Sequence, residues 1–413
     1  MGPPLQSAVK TIRRTHVKEL KDSTIKKKVI MKAVLFFIYT IIILALAIAK
    51  AVEQSQGTAF ALENIYHSWW FALLWALLAT LAVAALLAKR RTMKLPLTMM
   101  HASLIAILLG AAVSWATSES GMMHIRQGET TGYYLRNVRQ MDEMPFKVRL
   151  DSFCIDYYRN TNEPRDFRSH ISVEGKKATI SMNNIYKHNG YRLYQASFDD
   201  DLKGTVLSIR YDPWGTPLTY AAYGLLACSI LLWWLTTRKK RKASAACIAM
   251  FFVVYAITHY TYFNKHSGHL LPVLNTPILP IHVSLIITAY ILLATCLLLS
   301  AAFLVKRKAG NSRKRNQITI LVNHLLPNAM FLLMLGIFVG AIWANLSWGS
   351  YWSWDPKEVW ALITMMVYAI PLHRHSLTWL RRNATYHAYM ILAFLCVMMT
   401  YYGVDLLGGM HSY

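Results

Sequence analysis

The sequence predicts an α-helical polytopic membrane protein with about nine transmembrane helices and one small external β-rich domain. Its 413 residues are 55% hydrophobic, and the apolar residues gather in runs long enough to cross a bilayer, which takes about 20 residues. The net charge of +24 lies in short blocks between these runs, as in membrane loops, and does not cover a surface that could bind nucleic acid. We therefore expect membrane lipid around the chain and no nucleic-acid partner.

Nine apolar runs meet the length requirement. They lie near residues 30–50, 68–88, 96–117, 217–237, 245–263, 280–305, 318–344, 358–373 and 386–405. Ala47-Ile48-Ala49 in the first run resembles a signal-peptide cleavage site, but the run is long and about 29 residues precede it. The first run is therefore predicted to be a membrane span.

Blocks of lysine and arginine indicate the orientation of the chain. One block, at residues 26–28, precedes the first run, and four lie between later runs, at residues 89–94, 238–242, 306–315 and 374–382. Short loops rich in these residues stay in the cytoplasm. The N-terminus is then predicted to be cytoplasmic and the C-terminal tail external.

Residues 118–216 differ in kind from the rest of the chain. They are polar, with alternating apolar and polar side chains at 170–173 and 178–182 and a turn signal at Asn189-Gly190. This pattern predicts the external β-rich domain. The predicted organisation is a cytoplasmic segment 1–29, three helices within 30–117, the external domain 118–216, and a helical region 217–413 that contains a loop at 345–360.

That loop includes the segment WGSYWSWDPKEVW at residues 348–360, with four tryptophans and one tyrosine around a single Asp-Pro. Tryptophans at a membrane surface are usually dispersed as interfacial anchors. A cluster offers flat apolar faces instead, which suit a flat ligand such as a porphyrin, and we assign this platform to Trp348, Trp352 and Trp354. Asp355 also has the position of a helix N-cap before Pro356, with Glu358 completing a capping box.

Four histidines stand out when the fifteen in the chain are sorted by predicted depth. His282 and His411 are external and flank the tryptophan loop. His101 lies five residues after Pro96, about 8 Å into the membrane, and His373 lies about 25 Å along the helix that starts after the loop. Two axial ligands of one iron must share a depth, and each pair does.

Other roles for these histidines stay open at this level. His282, His373 and His411 could be interfacial or solvated residues, and ionisable residues inside spans, such as His101, are commonly functional. Three further histidines compete for the inner positions, namely His259, His324 and His387. The remaining external ones are expected to be surface residues: His67, His124, His170, His188, His266 and His269.

Cysteine usage limits the chemistry of the chain. Four of the five cysteines lie in apolar runs, Cys154 is the only external one, and no CxxC or CxxCH occurs. The chain alone therefore has no dithiol for redox chemistry, and it is not itself a c-type cytochrome.

The tryptophan loop resembles the "WWD" loop of the CcsA family of cytochrome c assembly proteins. The likeness extends over about 217–413 through His282, the phrase AIPLHRH around His373, and His411-Ser412-Tyr413. The upstream region is similar to CcsB (ResB-like) proteins, with His101 as the matching membrane histidine. The whole chain resembles a CcsB–CcsA fusion, the system II cytochrome c synthase, although residues 344–348, ANLSW, lack the acid of the usual family phrase.

The resemblance implies a cytochrome c haem lyase of the bacterial inner membrane, with a cytoplasmic N-terminus and a periplasmic C-terminus. Such a protein carries haem b across the membrane and presents it for thioether attachment to the CxxCH motif of apocytochrome c, with thiol-reducing proteins as further partners. No residue of the chain acts as a nucleophile, because the substrate supplies the thiols. The implied haem-binding residues are His101, His373, His282, His411, Trp348, Trp352, Trp354 and Asp355.

Two other functions remain open at the level of sequence. The protein could export haem and pass it to a separate ligase. It could also be a bis-haem electron-transfer cytochrome b, although such proteins usually pair histidines from two helices at regular spacing, a pattern that this sequence lacks.

Overall fold

The computed structural model describes residues 3–136, 140–237, 241–261, 271–305 and 312–406, with backbone only for 3–29, 241, 405 and 406. It confirms the predicted class, a mostly helical chain with one antiparallel sheet. The helices are α1 Pro3–Gln56, α2 Thr58–Ala61, α3 Trp69–Lys89, α4 Leu95–Thr117, α5 Gly215–Thr236, α6 Arg241–Tyr260, α7 Ile278–Val305, α8 Ser312–Trp348, α9 Pro356–Leu372 and α10 Asn383–Tyr401. The strands are β1 Glu119–Arg126, β2 Thr130–Arg136, β3 Gln140–Tyr157, β4 Pro164–Val173, β5 Lys176–Ile180, β6 Tyr186–His188, β7 Tyr191–Phe198 and β8 Gly204–Tyr211.

Eight helices within these described ranges are long and apolar enough to cross a membrane, so the chain is a multi-pass membrane protein. They are the part of α1 from residue 30 onward, α3, α4, α5, α6, α7, α8 and α10. The remaining predicted run, 358–373, forms α9, which has 17 residues. At 1.5 Å per residue it is about 25 Å long, at the lower end of what spans a bilayer.

The chain divides into two compact units, residues 1–93 and 94–413. In the first, α1 ends near a small polar cluster in which the buried Lys50 pairs with Glu53. The ammonium group also lies 5.3 Å from the ring centre of Tyr66. Ser68 caps α3 by accepting a hydrogen bond from the amide of Phe71.

The second unit contains a helical core built around α8. This 37-residue helix packs against α7, α9 and α10 through buried apolar side chains such as Leu333, Ala289, Tyr368 and Met390. Pro327 lies inside this helix and has no N–H to donate to its backbone ladder. The Asn328 side chain donates to the carbonyl of His324 at 2.8 Å and accepts from the indole of Trp234 at 3.0 Å.

The β-sheet lies between α4 and α5 in the chain. All its pairings are antiparallel, in the order β5-β4-β3-β2-β1-β8-β7-β6, so the first and last strands are neighbours. Along β3, buried and exposed side chains alternate from Met144 to Leu150, as expected of a strand with one buried face. The sheet folds back on itself, because the hydroxyl of Ser169 in β4 lies within hydrogen-bond distance of Gln195 in β7 and Thr205 in β8, all buried.

Asp212 joins the sheet to both flanking helices. Its carboxylate accepts hydrogen bonds from the hydroxyls of Ser114 in α4, at 2.6 Å, and Thr216 in α5, at 2.7 Å. The amide of Gly215 is a third donor, at 2.9 Å. A Cβ at Gly215 would clash with Ser114, so α4 and α5 approach closely where the sheet begins and ends. The sheet is therefore fixed to the ends of two membrane helices.

Candidate functional site

The tryptophan loop joins the end of α8 to the start of α9, and a capping box fixes its second half. The Asp355 carboxylate accepts from the amide of Lys357 at 3.0 Å, while Glu358 accepts from the amides of Ser353 at 2.8 Å and Asp355 at 3.3 Å. The predicted capping role of Asp355 is thus confirmed, and the residue is buried. The bond to Lys357 satisfies an amide that a helix start leaves without an intrahelical partner, and the bonds to Glu358 fix the residues before it.

The first half of the loop rests on the β-sheet. Gly349 has a φ of 81°, and a Cβ there would lie 2.8 Å from the ring of Tyr194 and 3.0 Å from Arg210. Ser347, at the end of α8, donates to the side chain of Asn183 at 3.1 Å. Tyr351 donates to Ser114 of α4, and burial raises the pKa of its phenol. The sheet and α4 together therefore hold the loop.

The loop indoles form two edge-to-face pairs. Trp352 and Trp354 have ring centres 5.8 Å apart at 88°, and Trp348 meets Trp343 of α8 at 5.1 Å and 75°. Trp354 has a φ of 61°, a conformation that costs energy in a non-glycine residue and is often associated with functional sites. The loop backbone therefore holds these rings in place at some energetic cost.

Two indole N–H groups at this site are buried without an acceptor among the described residues. They belong to Trp352 and Trp360. Buried donors are nearly always hydrogen-bonded in native proteins, so such groups indicate a missing acceptor such as water or a ligand. Half-buried aromatic faces combined with unsatisfied donors fit a flat apolar ligand with polar edge groups.

His282 of α7 packs against α8 at the two glycines of a GxxxG sequence, Gly336 and Gly340. Its Nδ1–H donates to the carbonyl of Gly336 at 2.8 Å. A Cβ at Gly340 would lie 2.5 Å from the imidazole, so only glycine leaves room for the ring. The imidazole stacks on Trp343 at 6.5 Å and 26°. Sequence reasoning missed Trp343, although its spacing from Gly336 and Gly340 places all three on one helix face.

His101 and His373 come together although 272 positions separate them in the sequence. Their ring centres are 6.0 Å apart and their planes are nearly perpendicular, at 85°. His101 lies in α4 and is half-buried, whereas His373 follows the last residue of α9 and is exposed. The sequence-predicted inner pair is thus a contact of the fold, at the surface of the helical unit.

Both histidines are oriented by their own helices. His101 Nδ1 lies 2.7 Å from the carbonyl of Leu97, and His373 Nδ1 lies 2.8 Å from that of Ala369. A carbonyl oxygen can only accept, so Nδ1 carries the proton and the lone pair is on Nε2. A backbone carbonyl on one ring nitrogen is the usual support of a histidine whose other nitrogen binds a metal.

The competing membrane histidines have different surroundings. Both ring nitrogens of His387 bond to hydroxyls, those of Thr319 and Ser300 at 2.9 Å, and the ring stacks on Phe303, so it is a fully satisfied core residue. His259 is exposed near the end of α6, beside Tyr255. His324 is half-buried in α8.

His411 lies outside the described residues, so its place beside the tryptophan loop stays a prediction. The cysteine predicted to be external, Cys154, lies in β3. Cys154 Sγ lies 3.7 Å from His170 Nε2, but burial, reinforced by Asp156, raises the pKa of its thiol. Because the thiolate is the reactive form, this residue is not an activated nucleophile.

Comparison with known proteins finds two families along the chain. Residues 216–411 match the family described as cytochrome C assembly protein, and residues 82–216 match the ResB-like family. A cytochrome c biogenesis protein CcsA of Guillardia theta is 34% identical over 223 residues, which are 48% of this chain and 73% of the relative. The chain belongs to the CcsA family of cytochrome c biogenesis proteins. The preceding ResB-like match makes it a fusion of the CcsB–CcsA type.

Other relatives of this CcsA-family protein are matched over a smaller part of their length. The CcsA protein of Chlamydomonas reinhardtii is 41% identical over 36% of this chain and 44% of its own length. Protein NrfI of Wolinella succinogenes is 34% identical over 38% of this chain and 18% of its own length. The chain spans about half the length of the first curated relatives that it matches.

Proposed function

We propose that this protein carries haem b from the inner half of the membrane to the tryptophan loop and presents it there for covalent attachment to apocytochrome c. The observation that carries the proposal is a feature common to three predicted ligands. In His101, His373 and His282 alike, Nδ1–H donates to a backbone carbonyl, which places the lone pair on Nε2, the tautomer of a metal-binding histidine.

The inner pair has dimensions that suit one iron. Two imidazoles bound on opposite faces of a metal have ring centres about 6.3 Å apart, for metal–nitrogen bonds of about 2.0 Å and about 1.15 Å from nitrogen to ring centre. The observed 6.0 Å between His101 and His373 is close to this value. Because His373 is exposed, haem could reach the pair from the lipid side.

Two helices link the inner pair to the tryptophan loop. His101 precedes Ser114, the residue of α4 that contacts Tyr351, by thirteen positions, or about 20 Å. His373 follows Pro356 by seventeen positions of α9, or about 25 Å. The two sites would therefore lie at opposite ends of the same helices, as carriage across a membrane requires.

At the tryptophan loop, His282 and His411 would be the axial ligands, with Trp348, Trp352 and Trp354 against the porphyrin. Asp355 would act indirectly, as the N-cap that fixes where α9 begins. Each cysteine thiol of the substrate would add across one haem vinyl group. A C–S bond forms at one vinyl carbon and the thiol hydrogen moves to the other, so no oxidant is consumed. The protein's contribution would be positioning of haem and control of its iron.

This function requires a defined orientation, partners and compartment. The N-terminus would lie in the cytoplasm and the C-terminus in the periplasm of a bacterial inner membrane, with thiol-reducing proteins keeping the substrate cysteines reduced. A reporter fused after Tyr413 should be active only outside the cytoplasm. Activity of the fusion in the cytoplasm would refute the orientation and, with it, the external His282–His411 pair.

Co-expression tests the lyase against the exporter. The chain and an apocytochrome with a CxxCH motif are produced together in cells that lack their own assembly genes. Covalent haem in the product, detected by haem staining after denaturing electrophoresis, supports the lyase. Haem release without covalent product would support an exporter that serves another ligase. Stable low-spin haem with neither release nor product would indicate an electron-transfer cytochrome b.

A further inference from the structure

Two arginines on the sheet lie directly opposite each other where the sheet supports the tryptophan loop. Arg192 of β7 and Arg210 of β8 are cross-strand partners in the antiparallel register, so their side chains share one face. Like charges directly opposite one another destabilise a sheet. A pairing of this kind needs a compensating partner for the two guanidinium groups.

No carboxylate within the described parts of the chain forms an ion pair with either arginine. Other arginines of the same sheet do have such partners: Arg126, Arg136, Arg149 and Arg168 each lie within ion-pair distance of Asp or Glu. Arg192 contacts Asp212 at its backbone carbonyl, at 3.4 Å. The Asp212 carboxylate is occupied by the hydroxyls and the amide that join the sheet to α4 and α5.

Arg210 is half-buried. Its Nε is buried with no acceptor among the described residues. Burial, together with the neighbouring charge of Arg192, lowers the pKa of its guanidinium. A guanidinium stays protonated in proteins, so this position favours an anion beside it. The burial of an unpaired charge is costly, and a bound carboxylate would remove that cost.

The location of the pair indicates what it could bind. Arg192 donates to the side chain of Asn345 in the last turn of α8, at 3.4 Å, and Arg210 lies against Gly349, the first residue after that helix. The C-terminal end of a helix attracts cations with the equivalent of about half a negative charge. This half charge offsets only about a quarter of the combined charge of the two guanidinium groups, so most of their positive charge remains.

We propose that Arg192 and Arg210 form a carboxylate-binding site that holds the propionate groups of haem at the tryptophan loop. This inference rests on the proposed function, since it assigns a partner to the polar edge of the porphyrin. A guanidinium binds a carboxylate through two parallel N–H donors, and two guanidinium groups match two propionates. An acidic side chain of the apocytochrome has the same chemistry, and the test separates the two sources.

The test compares haem with its dimethyl ester, which keeps the iron and the ring but lacks both carboxylates. The full-length protein, in nanodiscs and stripped of haem, is titrated with each compound, and binding is followed by the shift of the haem absorption band. Wild-type protein should bind the ester at least about tenfold more weakly than haem, because charge-assisted hydrogen bonds to the propionates are lost. Arg192→Gln and Arg210→Gln should each weaken haem binding about tenfold and leave ester binding unchanged.

Arg168→Gln is the matched control, because this arginine of the same sheet is ion-paired with Asp156 and Asp166. It should leave the affinities for both compounds unchanged.

Equal wild-type affinity for haem and ester would overturn the inference while leaving the proposed function intact, and would leave the apocytochrome as the source of the carboxylate. Failure of wild-type protein to bind either compound would count against the proposed function itself. Equal loss of both ligands in Arg210→Gln would show that the arginine only supports the loop. The wild-type comparison stands even if a variant fails to fold.

Discussion

The two ends of the second unit hold their histidines in different ways. Near the tryptophan loop, His282 packs against Gly336 and Gly340 and stacks on Trp343, whose indole contacts that of Trp348. A capping box fixes the second half of that loop. At the other end, His101 and His373 meet through their own helices, and His373 is exposed. The first arrangement is suited to holding a ligand in one geometry. The second is suited to admitting and releasing one.

The largest expected effect comes from removing either histidine of the inner pair, His101 or His373. His101→Gly or His373→Gly should lower haem content and cytochrome yield at least about tenfold, because each removes one of two iron ligands. Imidazole added to the growth medium can occupy the vacated position and should restore part of both. Haem content is measured by pyridine haemochrome assay of purified protein, and yield by haem staining.

His375→Gly is the control for the inner pair, since His375 is exposed two residues beyond His373. It should leave haem content unchanged. Wild-type haem loading in both pair variants would exclude the inner site, and His324 or direct external entry would then need testing.

The second prediction concerns the close packing of His282 against Gly340 of α8. Gly340→Ala should displace the imidazole, because the new methyl group would lie 2.5 Å from it. The helix itself should become more stable by about 0.5–1 kcal/mol, since alanine favours helices over glycine. We therefore expect a shift of the haem spectrum away from bis-histidine low-spin with cytochrome yield reduced several-fold, while the protein stays folded.

Gly224→Ala serves as the matched control, because a Cβ at this helical glycine meets nothing within 4 Å. It should gain the same helix stability without any spectral change. If Gly340→Ala kept a wild-type spectrum, the packing of His282 against Gly340 would have no part in iron ligation.

The third prediction separates two roles of Asp355. Asp355→Ala should destabilise the loop by about 0.5–2 kcal/mol, the usual cost of losing an N-cap, and so reduce haem retention. Asp355→Asn should retain most of both, because asparagine caps as well as aspartate. Thermal unfolding and haem retention are measured on the same samples. If Asp355→Asn were as impaired as Asp355→Ala, the negative charge itself would matter, and a direct contact with ligand would replace the capping explanation.

The smallest expected effect is that of a single buried donor. Trp352→Phe keeps an aromatic ring but removes the indole N–H, which has no acceptor among the described residues. If this N–H bonds to haem, binding should weaken several-fold, as for one neutral hydrogen bond. If it bonds to nothing, the variant should bind haem normally and unfold at a slightly higher temperature. Titration and melting curves distinguish the two outcomes.

The sequence by itself determined the class of the molecule. Runs of about 20 apolar residues, alternation at 170–182 and the Asp-Pro-Lys-Glu start of α9 are local patterns, and local hydrogen bonding and burial dictate what they form. Counting residues along the helices also predicted that His101 and His373 lie at the same depth, because the rise per residue of a helix is fixed.

Only the tertiary structure decided which residues surround the site. Trp343 beside His282, the register that sets Arg192 opposite Arg210, and the contact of Gly349 with the sheet all join segments far apart in the chain. The same holds for His387, which sequence could not separate from the other membrane histidines until Ser300 and Thr319 were seen at its two nitrogens. Such contacts depend on how helices and strands pack, and packing is set by the shapes of all the side chains together, not by any one segment.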